Sequence, residues 1–242
     1  MATIIVIQDG DDLGPGRLGI TLRDHGYRLA ICRVDRDGGD AIPADLDGAH
    51  GVLVMGSDVA PDADLPWIDR TLDLVRKAHD AELPVIGVCM GHQLIARALG
   101  GTLERMPEVA LGFDRVDITV AGQTETMLAG VPWGVQQFQS HEYHVSQPPE
   151  GSTVLASGER CPVEAFRVGI RTYGFQYHFE FDRPAITAHV AARLAKMRER
   201  GMTLASLERD LDEHYAAFAR AADRLCINIA SFAFPFNRLL AV

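Results

Sequence analysis

Short apolar runs alternate with segments of helical periodicity between residues 3 and 99. The apolar runs have the length of buried strands and cover residues 3–7, 28–34, 51–55 and 84–88. Apolar residues at helical spacing cover residues 18–25, 66–81 and 93–99. Strands that alternate with helices form βαβ units, whose strands lie parallel in one sheet. The sequence therefore predicts an α/β fold with a mostly parallel central sheet flanked by helices, and a site beyond the carboxyl ends of its strands.

After this region the pattern changes to short strands separated by turns. The candidate strands cover residues 102–105, 115–120, 135–139, 153–156, 163–167 and 172–177. They predict an antiparallel extension of the parallel sheet. Two helical segments follow, at residues 184–200 and 203–225. We therefore predict a domain over residues 1–182 and a C-terminal helical extension over residues 183–242 that packs on the same domain.

The end of the chain is apolar, with three phenylalanines and two leucines in residues 232–240. One interpretation is that the C-terminal helices and this tail cover the protein's own sheet. The other is that the tail forms a contact with a partner or with a second copy in a homo-oligomer, as exposed apolar patches often do. The sequence favours the first interpretation and leaves the second open.

Composition and charge argue against several classes of partner. A net charge of −10 disfavours nucleic acid and anionic membranes. No apolar run approaches the ~20 residues of a membrane-spanning helix, and the N-terminus lacks the basic region of a signal peptide. The four cysteines show neither disulfide nor metal-ligand spacing, so we expect a reducing, cytoplasmic setting. We expect no metal and no cofactor, and we interpret His141 and His144 as binding or structural residues.

The segment after the fourth predicted strand carries the candidate nucleophile. Cys89 stands between Gly87 and Gly91 in the pattern Gly-x-Cys-x-Gly, with a strand before it and a helix after it. This is the cysteine form of a nucleophile elbow, a sharp turn that lifts the reactive atom above the sheet. The helix dipole and the free N–H groups at a helix N-terminus favour the thiolate. An isolated cysteine is usually a buried filler, but the two glycines favour a nucleophile.

A second informative segment is Gln-Tyr-His-Phe-Glu at residues 176–180. A cysteine nucleophile needs a base, and that base needs a third group to fix its tautomer. His178 fits the base, and Glu180 lies two residues further on, on the same face of a strand. A His-x-Glu pair alone is more often a surface or core pair. Together with the elbow at Cys89, it predicts a Cys-His-Glu triad.

These two segments resemble those of class I, triad-type glutamine amidotransferases. The chain is most similar to stand-alone proteins related to the amidotransferase domain of GMP synthetase, over residues 4–182. The specific motifs are residues 87–93 and 176–180, and the supporting motifs are residues 56–58, 140–141 and 161–167. The resemblance implies the flavodoxin-like fold of this class and a chemistry that uses no cofactor.

The resemblance also implies the reaction and the triad. Cys89 attacks the side-chain carbonyl of glutamine, ammonia leaves, and water hydrolyses the γ-glutamyl thioester. His178 is the acid and base, and Glu180 orients its ring. L-glutamine, or another γ-glutamyl compound, is the implied substrate.

The remaining site residues are assigned by the same resemblance. The oxyanion hole is expected to use the backbone N–H of Met90 and an N–H from the turn at Gly56 and Ser57. One such donor contributes about 10²–10³ in rate, because it stabilises the charge that develops in the transition state. The implied contacts of the substrate are Gln93, Ser140 and His141.

Three departures from the family pattern stand out. The usual Gly-Gly-Pro is Gly56-Ser57-Asp58 here, which strains Ser57 if its position needs a positive φ. The proline after the histidine is Phe179, which affects the shape of the loop more than the chemistry. The usual His-Gly-Asp-like run is His141-Glu142-Tyr143. Because those residues often face the acceptor, we expect a different partner or substrate.

The fate of the ammonia separates the functional alternatives. The chain lacks a Gly-x-x-x-x-Gly-Lys-[Ser/Thr] motif, and the segment after residue 182 is short for an ATP-using synthase domain. Either the ammonia passes to a separate synthase chain that docks as a partner, or the protein is itself a hydrolase. The alternatives are a γ-glutamyl peptidase on a similar fold and, in another class, a catalytically weak regulatory or scaffold subunit. The intact triad argues against the regulatory or scaffold subunit. The departures at Ser57 and Asp58 keep that alternative open.

Overall fold

The computed structural model describes residues 2–193, 198, 201 and 203–234. In this part of the chain, one sheet of nine strands runs through the protein. The strands are β1 (Thr3–Gln8), β2 (Arg28–Arg33), β3 (Ala49–Val54), β4 (Val85–Val88), β5 (Thr102–Ile118), β6 (Gly134–Gln147), β7 (Thr153–Gly158), β8 (Ala165–Val168) and β9 (Thr172–Phe175). Their order across the sheet is β2-β1-β3-β4-β9-β8-β7-β5-β6.

The helices of the same residues lie in the connections between the strands and after the last strand. They are α1 (Gly16–Asp24), α2 (Val34–Asp37), α3 (Pro66–Asp80), α4 (Met90–Ala98), α5 (Val120–Gln123), α6 (Arg183–Ala192) and α7 (Leu204–Asn228). As far as the chain is described, none of its helices has both the length and the apolar character needed to cross a membrane.

The two halves of the sheet differ in strand direction. β1 pairs in parallel with β2 and β3, β3 pairs in parallel with β4, and β4 pairs in parallel with β9. The remaining neighbours, from β9 through β8, β7 and β5 to β6, are antiparallel. The predicted α/β fold, with a parallel centre and an antiparallel extension, is confirmed.

Helices cover both faces of this sheet through their apolar stripes. On one face, α1 and α7 bury residues such as Leu18 and Phe218 in one apolar layer. On the other face, α3 and α4 bury residues such as Ile68 and Ile95 in a second layer. Full burial of one such side chain contributes about 2 kcal/mol. The sheet is therefore held from both sides, and its strand ends are the places left for a site.

The pairing of β4 with β9 decides where the two informative segments meet. Val88 at the end of β4 is in register with Phe175 at the end of β9. Because the two strands point the same way, the loops that follow them leave the sheet at the same edge. The segments that contain Cys89 and His178 therefore become neighbours in space.

The strand boundaries differ from the predicted ones mainly in β5 and β6. The sequence predicts a strand over residues 135–139, whereas β6 spans Gly134–Gln147. The sequence predicts separate strands at residues 102–105 and 115–120, whereas the structure has one strand over Thr102–Ile118. Pairing with β6 continues across a shift of register between Arg105 and Ala110. Residues 110–114, which read locally as part of a connection, are thus held extended by pairing with β6, an effect of tertiary context.

The first helix of the C-terminal extension begins at a defined cap. The side chain of Asp182 accepts a hydrogen bond of 2.8 Å from the N–H of Ala185, which satisfies one free donor of the first turn. α6 ends at Ala192. Residues 194–197, 199 and 200 of the predicted helical segment lie outside the described residues. The division into two domains at residue 182 stays a prediction.

Part of the apolar tail packs on the protein itself. Phe234 is buried, and its ring lies 5.8 Å from the ring of Tyr27 beside β2. Phe232 keeps 49% of its surface exposed. Residues 235–240 lie outside the described part of the chain. Phe234 thus supports the covering interpretation, and the contact with a partner or second copy stays a prediction.

Substitution of Gly91 by alanine tests how tightly α4 sits against the sheet. A Cβ at Gly91 would lie 2.0 Å from the carbonyl oxygen of Val54, at the end of β3. Backbone must therefore move to accommodate it. We expect Gly91→Ala to lower the free energy of unfolding by about 3 kcal/mol, measured by urea denaturation.

Gly26→Ala is the matched control. Gly26 has a φ of +84°, but no atom lies within 4 Å of a Cβ built there. Only the cost of the left-handed backbone remains, about 1 kcal/mol. Equal losses in the two variants would contradict the tight approach of α4 to β3.

Candidate active site

The turn between β4 and α4 holds Cys89 in a rare backbone conformation. Its φ is 53° and its ψ is −109°, a region that residues with a side chain seldom occupy. The backbone N–H of Cys89 donates a hydrogen bond of 2.8 Å to the carbonyl of Phe175 on β9. The conformation is therefore fixed by the sheet, as the elbow motif predicts.

His178 and Glu180 lie in the loop after β9. Nδ1 of His178 is 2.7 Å from Oε1 of Glu180, and each side chain is only 1% exposed. The ring of Phe181 stacks on the imidazole with 4.6 Å between centroids. The backbone N–H of His178 also donates to the carbonyl of Phe138 at 2.9 Å. Packing and hydrogen bonds thus fix both the position and the tautomer of the ring.

Cys89 and His178 face each other next to Gly56. A Cβ at Gly56 would lie 3.1 Å from Cε1 of His178 and 3.5 Å from Cβ of Cys89. Burial lowers the pKa of His178, but Glu180 and the hydrogen-bonded Cys89 raise it, and the net pKa lies above its ordinary value. The ring can therefore hold a proton at neutral pH.

The turn Gly56-Ser57-Asp58 is formed without left-handed backbone. Neither Gly56 nor Ser57 has a positive φ. Ser57 is therefore free of the backbone strain that a positive φ at this position would cause. The Ser57 hydroxyl donates to Oδ2 of Asp9 at 2.5 Å and accepts from the N–H of Val59 at 2.9 Å. The turn is thus held by its own side chain.

A cavity of about 320 Å³ lies in front of Cys89. It is lined by the turn at residues 57–61, the elbow, and the middle of β6. Of the predicted site residues, it contacts Ser57, Cys89, Met90, Gln93, Ser140 and His141. Gly56, His178 and Glu180 lie behind this lining. The structure therefore brings the predicted residues to one place at the carboxyl edge of the parallel strands.

The predicted substrate contacts differ in how they are engaged. Nε2 of Gln93 donates to the carbonyl of Tyr143 at 2.7 Å and to Oε1 of Gln176 at 3.1 Å, so its amide is fixed by the protein. The backbone carbonyl of Ser140 lies 3.6 Å from Sγ of Cys89. This places the Ser140 segment directly beside the sulfur.

Two residues of α6 and its C-cap reach the site and were not predicted from sequence. Nε2 of His189 lies 2.8 Å from Oγ of Ser140. Arg193 is 8% exposed, and its guanidinium donates twice to the carboxylate of Asp58, one contact being 3.0 Å. Sequence analysis predicted only a helical segment here and assigned it no site residue. The missed signal is a histidine and an arginine four positions apart in that segment.

Comparison with known proteins finds related sequences over most of the chain. A model of the class-I glutamine amidotransferase family matches residues 18–194. A glutamine amidotransferase-like protein of Salmonella typhimurium is 33% identical over 67% of this chain and 69% of its own length. Gamma-glutamyl peptidase 3 of Arabidopsis thaliana is 31% identical over 64% of this chain and 63% of its own length. One subunit of the glutamine-hydrolysing GMP synthase of Methanocaldococcus jannaschii is 33% identical over 48% of this chain and 60% of its own length.

A solved structure extends the similarity to almost the whole chain. The crystal structure of a glutamine amido transferase from Methylobacillus flagellatus has a TM-score of 0.82 and 26% identity, and the match covers 94% of each chain. The protein therefore belongs to the class-I glutamine amidotransferase family. The resemblance to GMP synthase amidotransferases that the two motifs indicate is confirmed.

Replacement of Glu180 tests the electrostatics of His178. We expect Glu180→Gln to lower the pKa of His178, because burial continues to lower it while the carboxylate that raises it is gone. NMR titration of the His178 ring measures the change. A pKa that does not move would contradict the assignment of Glu180 as the group that holds the proton on the ring.

The raised pKa of His178 also determines how its contribution to folding stability changes with pH. Because the pKa of folded His178 is raised, its contribution to stability is complete below the ordinary value of about 6.5. The contribution is lost as the pH rises through the raised value. The stability difference between wild type and Glu180→Gln should therefore shrink as the pH rises.

Arg193→Ala tests whether the C-terminal extension holds the turn at Asp58. Loss of the two hydrogen bonds to Asp58 removes one of the supports of the turn and leaves those of Ser57, so amide hydrogen exchange at residues 57–59 should accelerate about tenfold, and global stability should fall by about 1 kcal/mol. Exchange measured by mass spectrometry or NMR gives the result.

Arg183→Ala is the control for this effect. Arg183 is the first residue of the helix whose C-cap is Arg193, and its guanidinium pairs with Glu208 and Asp212 on α7. Its loss should leave exchange at residues 57–59 unchanged. Similar exchange in the two variants would show that Arg193 does not hold the turn.

Proposed function

We propose that the protein is a cysteine-dependent amidohydrolase of γ-glutamyl amides, with L-glutamine as its first substrate. The observation that carries this proposal is the buried arrangement of Cys89, His178 and Glu180, in which Cys89 lines the cavity and the other two lie behind it. Nδ1 of His178 is bound to Glu180 at 2.7 Å, so Nε2 is left to face the sulfur. A nucleophile, its base and the orienting carboxylate then stand in the order that covalent catalysis requires.

The chemistry follows from these groups. Sγ of Cys89 forms a bond to the γ-carbonyl carbon of the substrate, and the imidazolium of His178 protonates the departing amine. A γ-glutamyl thioester and ammonia result. His178, now neutral, takes a proton from water, and the resulting hydroxide displaces the sulfur. Glutamate leaves, and the proton remains on the imidazole, which restores the starting state.

The oxyanion hole completes this proposal. Met90 is the first residue of α4, where backbone N–H groups have no partner within the helix. It shares the lining of the cavity with Ser57. We assign the N–H of Met90 and one N–H from Gly56 or Ser57 as hydrogen-bond donors to the γ-carbonyl oxygen of the substrate while the thioester forms. The absence of a positive φ at Ser57 supports a competent turn with serine in it.

A second proposal concerns where the ammonia goes. One relative is named as a subunit of a GMP synthase, which supports delivery to a separate synthase chain. Release to solvent is the alternative if the protein acts as a hydrolase alone. The two differ in whether glutamine hydrolysis is stimulated by a partner protein.

A γ-glutamyl peptidase is the second candidate function. Arg105 and Glu142 line the cavity together with Cys89 and form an ion pair of 3.0 Å. These charged side chains offer contacts for a leaving group larger than ammonia. The similarity to a protein named gamma-glutamyl peptidase supports the same alternative.

Ammonia release from L-glutamine is the experiment that tests the first candidate. We expect release by the wild type, and a loss of at least about 10³-fold in kcat for Cys89→Ala, because the nucleophile is removed. Cys32→Ala is the matched control, since Cys32 is also buried but lies on β2 at the edge of the sheet. Its activity should equal that of the wild type.

A panel of γ-glutamyl peptides, assayed with the same variants, separates the two candidates. A higher kcat/KM for a γ-glutamyl peptide than for L-glutamine would favour the peptidase. If no γ-glutamyl compound is hydrolysed and a glutamine-like electrophile fails to alkylate Cys89, the enzymatic proposal is wrong and the regulatory alternative stands.

A further inference from the structure

A chain of three buried polar side chains lies behind the wall of the cavity. Glu164, Gln139 and His141 are 2%, 1% and 6% exposed. The amide of Gln139 lies 2.9 Å from Oε1 of Glu164 on one side and 3.2 Å from Nε2 of His141 on the other. Of the three, only His141 lines the cavity in front of Cys89. The chain therefore connects a buried carboxyl group to the wall of the candidate active site.

The hydrogen bonds of His141 restrict its protonation. Nδ1 of His141 lies 2.9 Å from the carbonyl oxygen of Tyr143, which can only accept, so Nδ1 carries a proton. Nε2 faces Oε1 of Gln139, which also only accepts. The arrangement as it stands therefore requires a second proton on Nε2, and with it an imidazolium.

A neutral His141 requires the opposite orientation of the amide. Rotation of the Gln139 amide by 180° presents its NH₂ to Nε2 of His141 and its oxygen to Glu164. Glu164 must then donate, so it is protonated. The chain thus has two consistent forms, one with a carboxylate and an imidazolium, and one with a carboxylic acid and a neutral imidazole.

The two forms differ by the position of one proton. In the change from neutral to charged form, an O–H bond of Glu164 breaks, an N–H bond forms at Nε2 of His141, and the amide rotates. The protein neither gains nor loses a proton. A cavity of about 140 Å³ that both Glu164 and His141 line, together with the charged side chains of Asp114 and Arg160, is large enough for water to carry the proton.

The surroundings favour the neutral form in the absence of a ligand. Burial raises the pKa of Glu164 to about 8, with Asp114 contributing, and burial lowers the pKa of His141 to about 3. The charged and titratable groups that act on the two ends include Asp114, Arg160, Cys161, Tyr177, His92 and His178. Arg105, Arg115, Glu142 and Glu159 line the cavities beside them. Oε2 of Glu164 has no hydrogen-bond partner in the described part of the protein. An incoming negative charge next to His141 would shift the balance toward the charged form.

We propose that Glu164 supplies the proton that makes His141 cationic when the α-carboxylate of a γ-glutamyl ligand enters the cavity. The inference rests on the proposed function, because it takes its ligand class from there. Both ring nitrogens of His141 are already engaged, so His141 acts on the carboxylate as a charge. Glu164 acts through His141 and is a positioning residue. Arg105 also lines the cavity, but its charge is balanced by its ion pair with Glu142. His141 differs in that it gains its positive charge when the ligand binds.

The test compares two ligands that differ only at the α-carboxylate. L-glutamate and L-isoglutamine, in which that carboxylate is a carboxamide, are titrated into the protein by calorimetry. We expect the wild type to prefer L-glutamate, and the preference to fall about tenfold in Glu164→Gln, because the charge on His141 can no longer form without cost. Loss of packing alone would weaken both ligands equally.

Glu159→Gln is the matched control. Glu159 is exposed and lines the same small cavity as Glu164. Its substitution should leave the preference unchanged. An unchanged preference in Glu164→Gln overturns the proposed role of Glu164, even where ammonia release supports the proposed function. Failure of both ligands to bind the wild type overturns the two proposals together.

A second measurement does not depend on the variant. In ¹⁵N-histidine NMR at pH 7, His141 should be neutral in the free wild-type protein and protonated at both nitrogens in its complex with L-glutamate. A ring that stays neutral in the complex, or that is already cationic without ligand, overturns the proposal.

Discussion

The parallel pairing of β4 with β9 is the interaction on which the site depends. It places Val88 opposite Phe175, and the next N–H, that of Cys89, donates to the carbonyl of Phe175 at 2.8 Å. Segments far apart in sequence are thereby joined at the point where the chemistry is expected. The antiparallel half of the sheet adds to this, because β6 brings Ser140 and His141 to the same edge. The strand order therefore explains why the site lies where it does.

The two charged pairs of the site, His178 with Glu180 and Arg193 with Asp58, have different roles. His178 and Glu180 are both buried, and their attraction must outweigh the cost of removing charge from water, which the raised pKa of His178 indicates. Asp58 remains 56% exposed and is held by the buried Arg193. One pair sets a protonation state, and the other fixes a turn. The second pair also makes the site depend on α6 and its C-cap, a segment that sequence reasoning assigned only to covering the sheet.

Sequence reasoning reached the parts of the structure that local patterns encode. The alternation of strands and helices and the glycines around Cys89 are visible in the chain, and the family motif pairs Cys89 with His178. The length of β5 was not predictable, because it follows from pairing with β6 across a shift of register. The contacts of Arg193 with Asp58, and of Glu164 with Gln139, join residues far apart in the sequence. Their partners become visible only when the sheet and α6 are assembled.

The backbone of Cys89 has a consequence for how such a position can change. Its φ of 53° costs about 1–3 kcal/mol for a residue with a side chain, whether or not a ligand is present. Glycine occupies this conformation at little cost. Selection for stability alone would therefore replace the cysteine by glycine and remove the thiol. A cysteine at this point of the chain thus lowers the stability of the fold at all times, and the rest of the structure must offset that cost.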